Sequence, residues 1–132
     1  MRLNEFERII IDEALSDLLL LIQEGVPHFK NTVAEDITKN TLAITSSKMK
    51  LKKIPTDTTQ GFTLQEMKVI YWALSILRDT ILEFLDSAPL EDPDWDSAID
   101  TQKTCNRLMR SLREAFSQQG IDIQKLFPQK QS

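Results

Sequence analysis

Residues 63–86, TLQEMKVIYWALSILRDTILEFLD, decide the fold that the sequence predicts. Apolar side chains recur through this stretch at the three- and four-residue spacing of an amphipathic helix. Its first four residues form a capping-box pattern, in which Thr63 and Glu66 each accept a hydrogen bond from the other's backbone amide. The whole chain has only three glycines and five prolines, which also favours helices over a turn-rich β fold. The sequence therefore predicts an all-α protein built around this helix.

A second long helix is predicted over 93–119, after a short connection. Asp92 followed by Pro93 is typical of a helix start, because aspartate caps the first amides and proline fits the first turn. Gly120, with Ile121 after it, is typical of a Schellman-type helix end. Consecutive helices with a short connection pack side by side. We therefore expect a C-terminal antiparallel helical hairpin within a small helical bundle.

The residues before this hairpin allow more than one prediction of secondary structure. Apolar periodicity predicts a first helix over 3–24. The next region has two alternatives. One is a helix, which is either continuous, as Ile37, Ile44 and Leu51 at heptad spacing indicate, or irregular after Asn40. The other is a short β-hairpin at 41–53, supported by two runs in which polar and apolar residues alternate.

The composition of the chain limits the kinds of protein to which it can belong. A chain of 132 residues suits one domain, and we predict a single helical domain over 1–127 followed by a flexible tail over 128–132. The lone Cys105 excludes an internal disulfide and favours a reducing compartment. No apolar stretch is long and uncharged enough to span a bilayer, and residues 1–7 lack the pattern of a secretory signal. We therefore expect a cytoplasmic protein without a membrane partner, similar to small bacterial or phage helical proteins.

Motifs for catalysis or for metal binding are absent from the sequence. His28 and Cys105 are the only histidine and cysteine, and a structural zinc site takes four such ligands. Asp92–Asp96 imitates the start of a calcium loop, but the glycine and the final glutamate of such a loop are missing. There is no Glu-x-x-His pair and no glycine-rich phosphate loop. We expect neither an enzyme nor a bound cofactor or metal.

A second apolar stripe on the 63–86 helix is the predicted site of protein contact. It consists of Val69, Trp72 and Ile76, beside the main stripe that faces the core. If the first helix does not cover this stripe, it forms a homodimer seam or a groove for a partner helix, where large aromatic side chains dominate the binding energy. This predicts a non-catalytic protein-binding adaptor or inhibitor.

Two groups of basic residues support an alternative function. One is the lysine segment Lys48, Lys50, Lys52 and Lys53, and the other is an arginine strip on the last long helix, Arg107, Arg110 and Arg113. Together they could contact a phosphate backbone, although no nucleic-acid-binding motif accompanies them and the net charge is −4. A nucleic-acid-associated protein is the second hypothesis, and a small-molecule-binding helical bundle is the third.

Overall fold

The structure, a computed structural model, describes residues 3–24, 34–53 and 61–122. These residues form four helices and no strand, which confirms the all-α class. The helices are α1 (Glu5–Glu24), α2 (Ala34–Lys53), α3 (Leu64–Ser87) and α4 (Trp95–Ser117). The predictions made for His28 and for the tail at 128–132 concern residues outside these ranges.

Helix α3 is the centre of the fold, because it packs against each of the other three helices. Both arms of its predicted capping box are present. The Thr63 hydroxyl accepts a hydrogen bond from the Glu66 amide at 3.1 Å, and the Glu66 carboxylate accepts one from the Thr63 amide at 2.8 Å. The core is formed by buried apolar side chains from all four helices, among them Leu15, Leu18, Ile44, Val69, Leu74, Leu108, Leu112 and Phe116.

Helices α3 and α4 form the predicted antiparallel hairpin. The Arg113 guanidinium donates a hydrogen bond to the Tyr71 hydroxyl at 3.2 Å, and further along α3 the Arg78 guanidinium lies 3.8 Å from the Met109 sulfur. Contacts therefore move towards the start of α4 as they move towards the end of α3. This order is the signature of antiparallel packing.

The two ends of α4 differ in how well the sequence predicts them. The helix begins at Trp95 rather than Pro93, because the Asp92 carboxylate accepts a hydrogen bond from the Asp94 amide and holds a turn there. The other end is the predicted Schellman motif. The Ile121 amide donates to the Phe116 carbonyl at 3.0 Å, and Gly120 has the positive φ of 75° that this motif requires.

Helix α2 confirms the continuous helix and excludes the other two interpretations of its region. The β-hairpin at 41–53 is wrong, and so is the irregular end after Asn40, since α2 is continuous to Lys53. The heptad spacing was the informative pattern, because Ile44 and Leu51 are buried in the core. The β-branched and hydroxyl residues are accommodated by hydrogen bonds to carbonyls four residues earlier, from Thr41, Thr45 and Ser47.

Helix α1 begins with a second capping box, which the sequence analysis missed. The Asn4 carboxamide oxygen accepts a hydrogen bond from the Glu7 amide at 2.8 Å, and the Glu7 carboxylate accepts one from the Asn4 amide at 3.0 Å.

Helix α1 packs antiparallel to α2. Lys48 of α2 contacts Asp12 and Ser16 of α1, and these residues lie at similar distances from the connection between the two helices.

Candidate functional site

Lys50, predicted to contact nucleic acid, is engaged with the buried Glu66 carboxylate. The Lys50 ammonium pairs with Glu66 and also donates a hydrogen bond to the Gly61 carbonyl. The Ser46 hydroxyl donates to the same carboxylate at 2.6 Å. Burial raises the pKa of Glu66, but the hydrogen bonds from Lys50, Ser46 and Thr63, with the Lys50 charge, outweigh it and hold the pKa below its ordinary 4.5. Lys50 therefore ties α2 to the start of α3.

Arg107 has an equivalent position at the start of α1. Its guanidinium pairs with the buried Glu7 carboxylate at 3.0 Å and so ties α4 to α1. Lys48 pairs with the Asp12 carboxylate at 3.4 Å and holds α1 to α2. Both capping-box glutamates thus serve as anchors for a cation from another helix. A buried carboxylate needs such a partner, because burial without one is costly.

The predicted basic surface is therefore divided among internal contacts. Lys48, Lys50 and Arg107 have carboxylate partners, and Arg113 bonds to a tyrosine hydroxyl. Lys52 and Arg110 are exposed, and the side chain of Lys53 is outside the described part of the chain. The four engaged residues help to hold the helices together, so they are not a free strip for a phosphate backbone. The nucleic-acid hypothesis loses most of the surface on which it was based.

The stripe predicted for partner contact lies mostly within the fold. Val69 is fully buried in the core, which corrects its assignment to a contact surface. Trp72 and Ile76 are half-buried and pack against the same core. The signal in the sequence was real, because α3 does need neighbours on more than one side, but α1, α2 and α4 supply them. This stripe is therefore a poor candidate for a dimer seam.

The end of the α3–α4 hairpin, residues 79–100, has a different character. It contains eight acidic residues and no basic one, out of 20 acidic residues in the chain. Six of the eight carboxylates are on exposed residues: Glu83, Asp86, Glu91, Asp94, Asp96 and Asp100. Only Asp79 forms an ion pair within the described ranges, with the adjacent Arg78. The hairpin end is thus a concentration of uncompensated negative charge.

Apolar side chains accompany this charge. Except for Ile81, no residue of α3 after Leu74 and none of α4 before Thr104 is buried. The apolar residues of the hairpin end are therefore half-buried or exposed: Leu82, Phe84, Leu85, Leu90, Trp95 and Ile99. Leu90 is the extreme case, with 75% of its surface exposed. A turn holds it at the apex, because the Asp92 amide donates to the Pro89 carbonyl at 3.0 Å.

The helix dipole does not account for all of this acidity. Asp96 in the first turn of α4 is favoured by the dipole, because a helix N-terminus is partially positive. Asp86 lies in the last turn of α3, where the partial charge is negative and a cation would be favoured, and Glu83 lies immediately before that turn. The last turn of α3 contains no basic residue. These two carboxylates are therefore unfavourably placed relative to the helix dipole, and the described contacts of the fold give no reason for them.

The lone cysteine, Cys105, has a structural role in the core. Cys105 is fully buried, and burial raises the pKa of its thiol to about 11, although the nearby Arg78 charge acts in the opposite direction. The thiol is therefore protonated and inaccessible at neutral pH.

A pocket of about 140 Å³ lies between the start of α1, the start of α3 and the end of α4. It is smaller than the roughly 300–1,000 Å³ of typical ligand sites, so the small-molecule hypothesis gains no support.

Comparison with known proteins gives no relative from which a function could be transferred. No protein-family model, curated protein or solved structure matches this chain.

Within residues 3–24, 34–53 and 61–122, no group of three or more potential ligand residues is placed to hold a metal ion. No helix in those ranges combines the length and the apolar character needed to cross a membrane. The proposal for function therefore rests on the surfaces of the described residues.

Proposed function

We propose that this chain is a non-catalytic protein-binding module that docks a basic segment of another protein onto the hairpin end. The exposed, uncompensated carboxylates of residues 79–100 around the exposed Leu90 are the single observation that supports this proposal. A cytoplasmic location, as the sequence predicts, belongs to the same proposal. An inhibitor needs this one surface, whereas an adaptor needs a second surface as well.

The two kinds of side chain at the hairpin end have complementary roles in binding. The carboxylates attract a basic surface over a distance and exclude acidic competitors, which raises the association rate and the specificity. The apolar side chains supply the contact area, since buried anchors at the centre of an interface provide most of the affinity. Leu90 at the apex and Trp95 at the start of α4 are suited to be those anchors, because exposed carboxylates flank them along the chain.

The experiment that tests this function compares two charge-matched variants in affinity capture from the source organism. The hairpin-end variant contains Glu83→Gln, Asp86→Asn and Glu91→Gln. The control variant contains Asp17→Asn, Glu24→Gln and Glu114→Gln, which are also exposed carboxylates but lie outside the hairpin end. We expect the native chain and the control to retain the same basic protein, and the hairpin-end variant to lose it. Capture should also weaken as salt concentration rises.

Two outcomes would contradict the proposal. In one, both variants retain the same partner as the native chain, which would place the contact elsewhere. In the other, both variants lose the partner equally, which would show that only the net charge of the molecule matters. Replacing Leu90 with serine separates the apolar contribution, because it leaves every charge in place and should weaken capture by itself.

A further inference from the structure

A second exposed apolar surface lies on the opposite part of the fold, on the outer face of α1 and α2. Four large apolar residues point away from the core there: Ile9 and Leu20 on α1, and Leu42 and Met49 on α2. Each is about half exposed, and Leu42 reaches 64%. Five of the eight exposed large apolar residues in the described chain therefore lie on these two helices, the fifth being Phe6 near the start of α1.

The contacts between α1 and α2 bring these four residues onto one face. Lys48 bridges to Asp12 and Ser16 along the seam between the antiparallel helices. All four side chains are exposed. The helical period then places Ile9 and Leu20 near Ser16 on the exposed side of α1, and Leu42 and Met49 together on the exposed side of α2. The antiparallel register places Leu20 and Leu42 at the same level of the pair. Ile9 and Met49 lie towards its other end.

The charges of the two helices are opposite in sign. Glu7 and Asp12 of α1 and Lys48 and Lys50 of α2 are already paired within the fold. The charged residues that remain exposed are acidic on α1, and on α2 those with described side chains are basic. The exposed carboxylates of α1 include Glu5 and Glu13, and the exposed cations of α2 include Lys52. A second copy of this face, rotated by a two-fold axis parallel to the helices, would place its acidic α1 over the basic α2 of the first copy. The face is therefore complementary to itself.

We propose that the outer α1–α2 face binds a second copy of this chain in a symmetric four-helix arrangement, with α1 of each copy over α2 of the other. Leu20 of one copy then meets Leu42 of the other, and Ile9 approaches Met49. Isologous pairing of this kind is the commonest form of protein dimer. The alternative two-fold axis, perpendicular to the helices, would stack α1 on α1 and oppose like charges.

The size of the face fits this occupant. Two 20-residue helices are each about 30 Å long and pack about 10 Å apart, so the face they present covers roughly 600 Å². A standard stable interface takes about 800 Å² of accessible surface from each partner. The area estimated for the outer α1–α2 face is therefore of the same order as one partner's share of a standard interface. The dimer gives the molecule two hairpin ends, but it does not depend on what those ends bind.

Sedimentation equilibrium of the full chain tests the dimer through two matched variants. We expect the native chain to approach twice its 15.2 kDa mass at micromolar concentrations. The variant with Leu42→Glu and Met49→Glu should dissociate at least tenfold more readily, because it places carboxylates against the acidic α1 of the other copy. The control with Leu82→Glu and Leu90→Glu makes the same chemical change at the hairpin end and should remain dimeric. All four positions are exposed, so helix content by circular dichroism should be unchanged.

Cross-linking tests the arrangement of the two copies. Cys105 is first replaced with alanine, and single cysteines are introduced as Leu20→Cys in one preparation and Leu42→Cys in another. A short bismaleimide should join the two chains efficiently in a mixture of both, and poorly when either preparation is alone. A monomer at all concentrations would overturn the proposal. Efficient joining within the Leu20→Cys preparation alone would also overturn it, because α1 would then lie on α1.

Discussion

The two glutamates Glu7 and Glu66 show how much a single residue does in this fold. Each completes a capping box at the start of a helix, and each pairs with a cation from another helix. The Thr63–Glu66 box was predictable because its pattern is local. The partner cations are 16 and 100 residues away along the chain, so local spacing could not identify them. This is why the basic residues were predicted as a free surface.

Replacing Glu66 with glutamine should destabilise the protein in a pH-dependent way. The folded pKa of Glu66 lies below 4.5, so its carboxylate contributes stability above that pH, and the contribution is lost as the pH falls through the folded value. At pH 7 we expect a loss of about 1–2 kcal/mol in the free energy of unfolding, measured by urea denaturation. The difference from the native chain should shrink at pH 3.

The matched substitution Glu91→Gln should have almost no effect at either pH, because Glu91 is exposed and lies outside both the core and the α1–α2 face. Equal losses for Glu66→Gln at pH 7 and pH 3 would show that the carboxylate charge is not what stabilises the start of α3.

Cys105 should be unreactive in the folded protein. Its thiol is buried, and its pKa of about 11 leaves almost no thiolate at pH 7. We expect iodoacetamide to label it only slowly at pH 7, and rapidly once urea unfolds the chain. Fast labelling of the folded protein, measured by mass spectrometry, would contradict the burial of this part of α4.

At the scale of elements, the long helices and some of their ends were predictable, and the secondary structure of α2 was not. The Schellman motif at Gly120 and the hairpin of α3 and α4 follow from local patterns that the structure confirms. Helix α2 contains hydroxyl and alternating residues whose local preference is ambiguous. Its helical state is decided by burial of the heptad positions Ile44 and Leu51 against other helices, which is tertiary information.

The end of α3 should become more stable when its acidic residues are reversed. Glu83→Lys together with Asp86→Lys should raise the free energy of unfolding by about 0.5–1 kcal/mol, because cations are favoured at a helix C-terminus. Asp96→Lys is the opposing control, since it removes a favourable charge from the start of α4 and should lower stability. Thermal unfolding measures both. Destabilisation by the α3 substitutions would show that these carboxylates have a structural role after all.

At the scale of the whole molecule, the distribution of burial separates the core from the proposed binding surface. Buried side chains of the α3–α4 hairpin are concentrated between Glu66 and Leu74 and between Thr104 and Phe116, whereas the hairpin end keeps its apolar residues near the surface. The acidity of this end is visible in the sequence. Its separation from the core is not, because it depends on where α1 and α2 pack along the hairpin.

The most direct test of the proposed docking surface uses the tryptophan that lies on it. The chain has two tryptophans, so Trp72→Phe leaves Trp95 as the only one. A helical peptide with leucines on one face and lysines on the other then serves as a basic probe. We expect a saturable change in Trp95 emission, with an affinity at least tenfold lower after neutralisation of Glu83, Asp86 and Glu91 and almost unchanged after neutralisation of Asp17, Glu24 and Glu114. No saturable change, or equal weakening in both variants, would contradict the hairpin end as the binding surface.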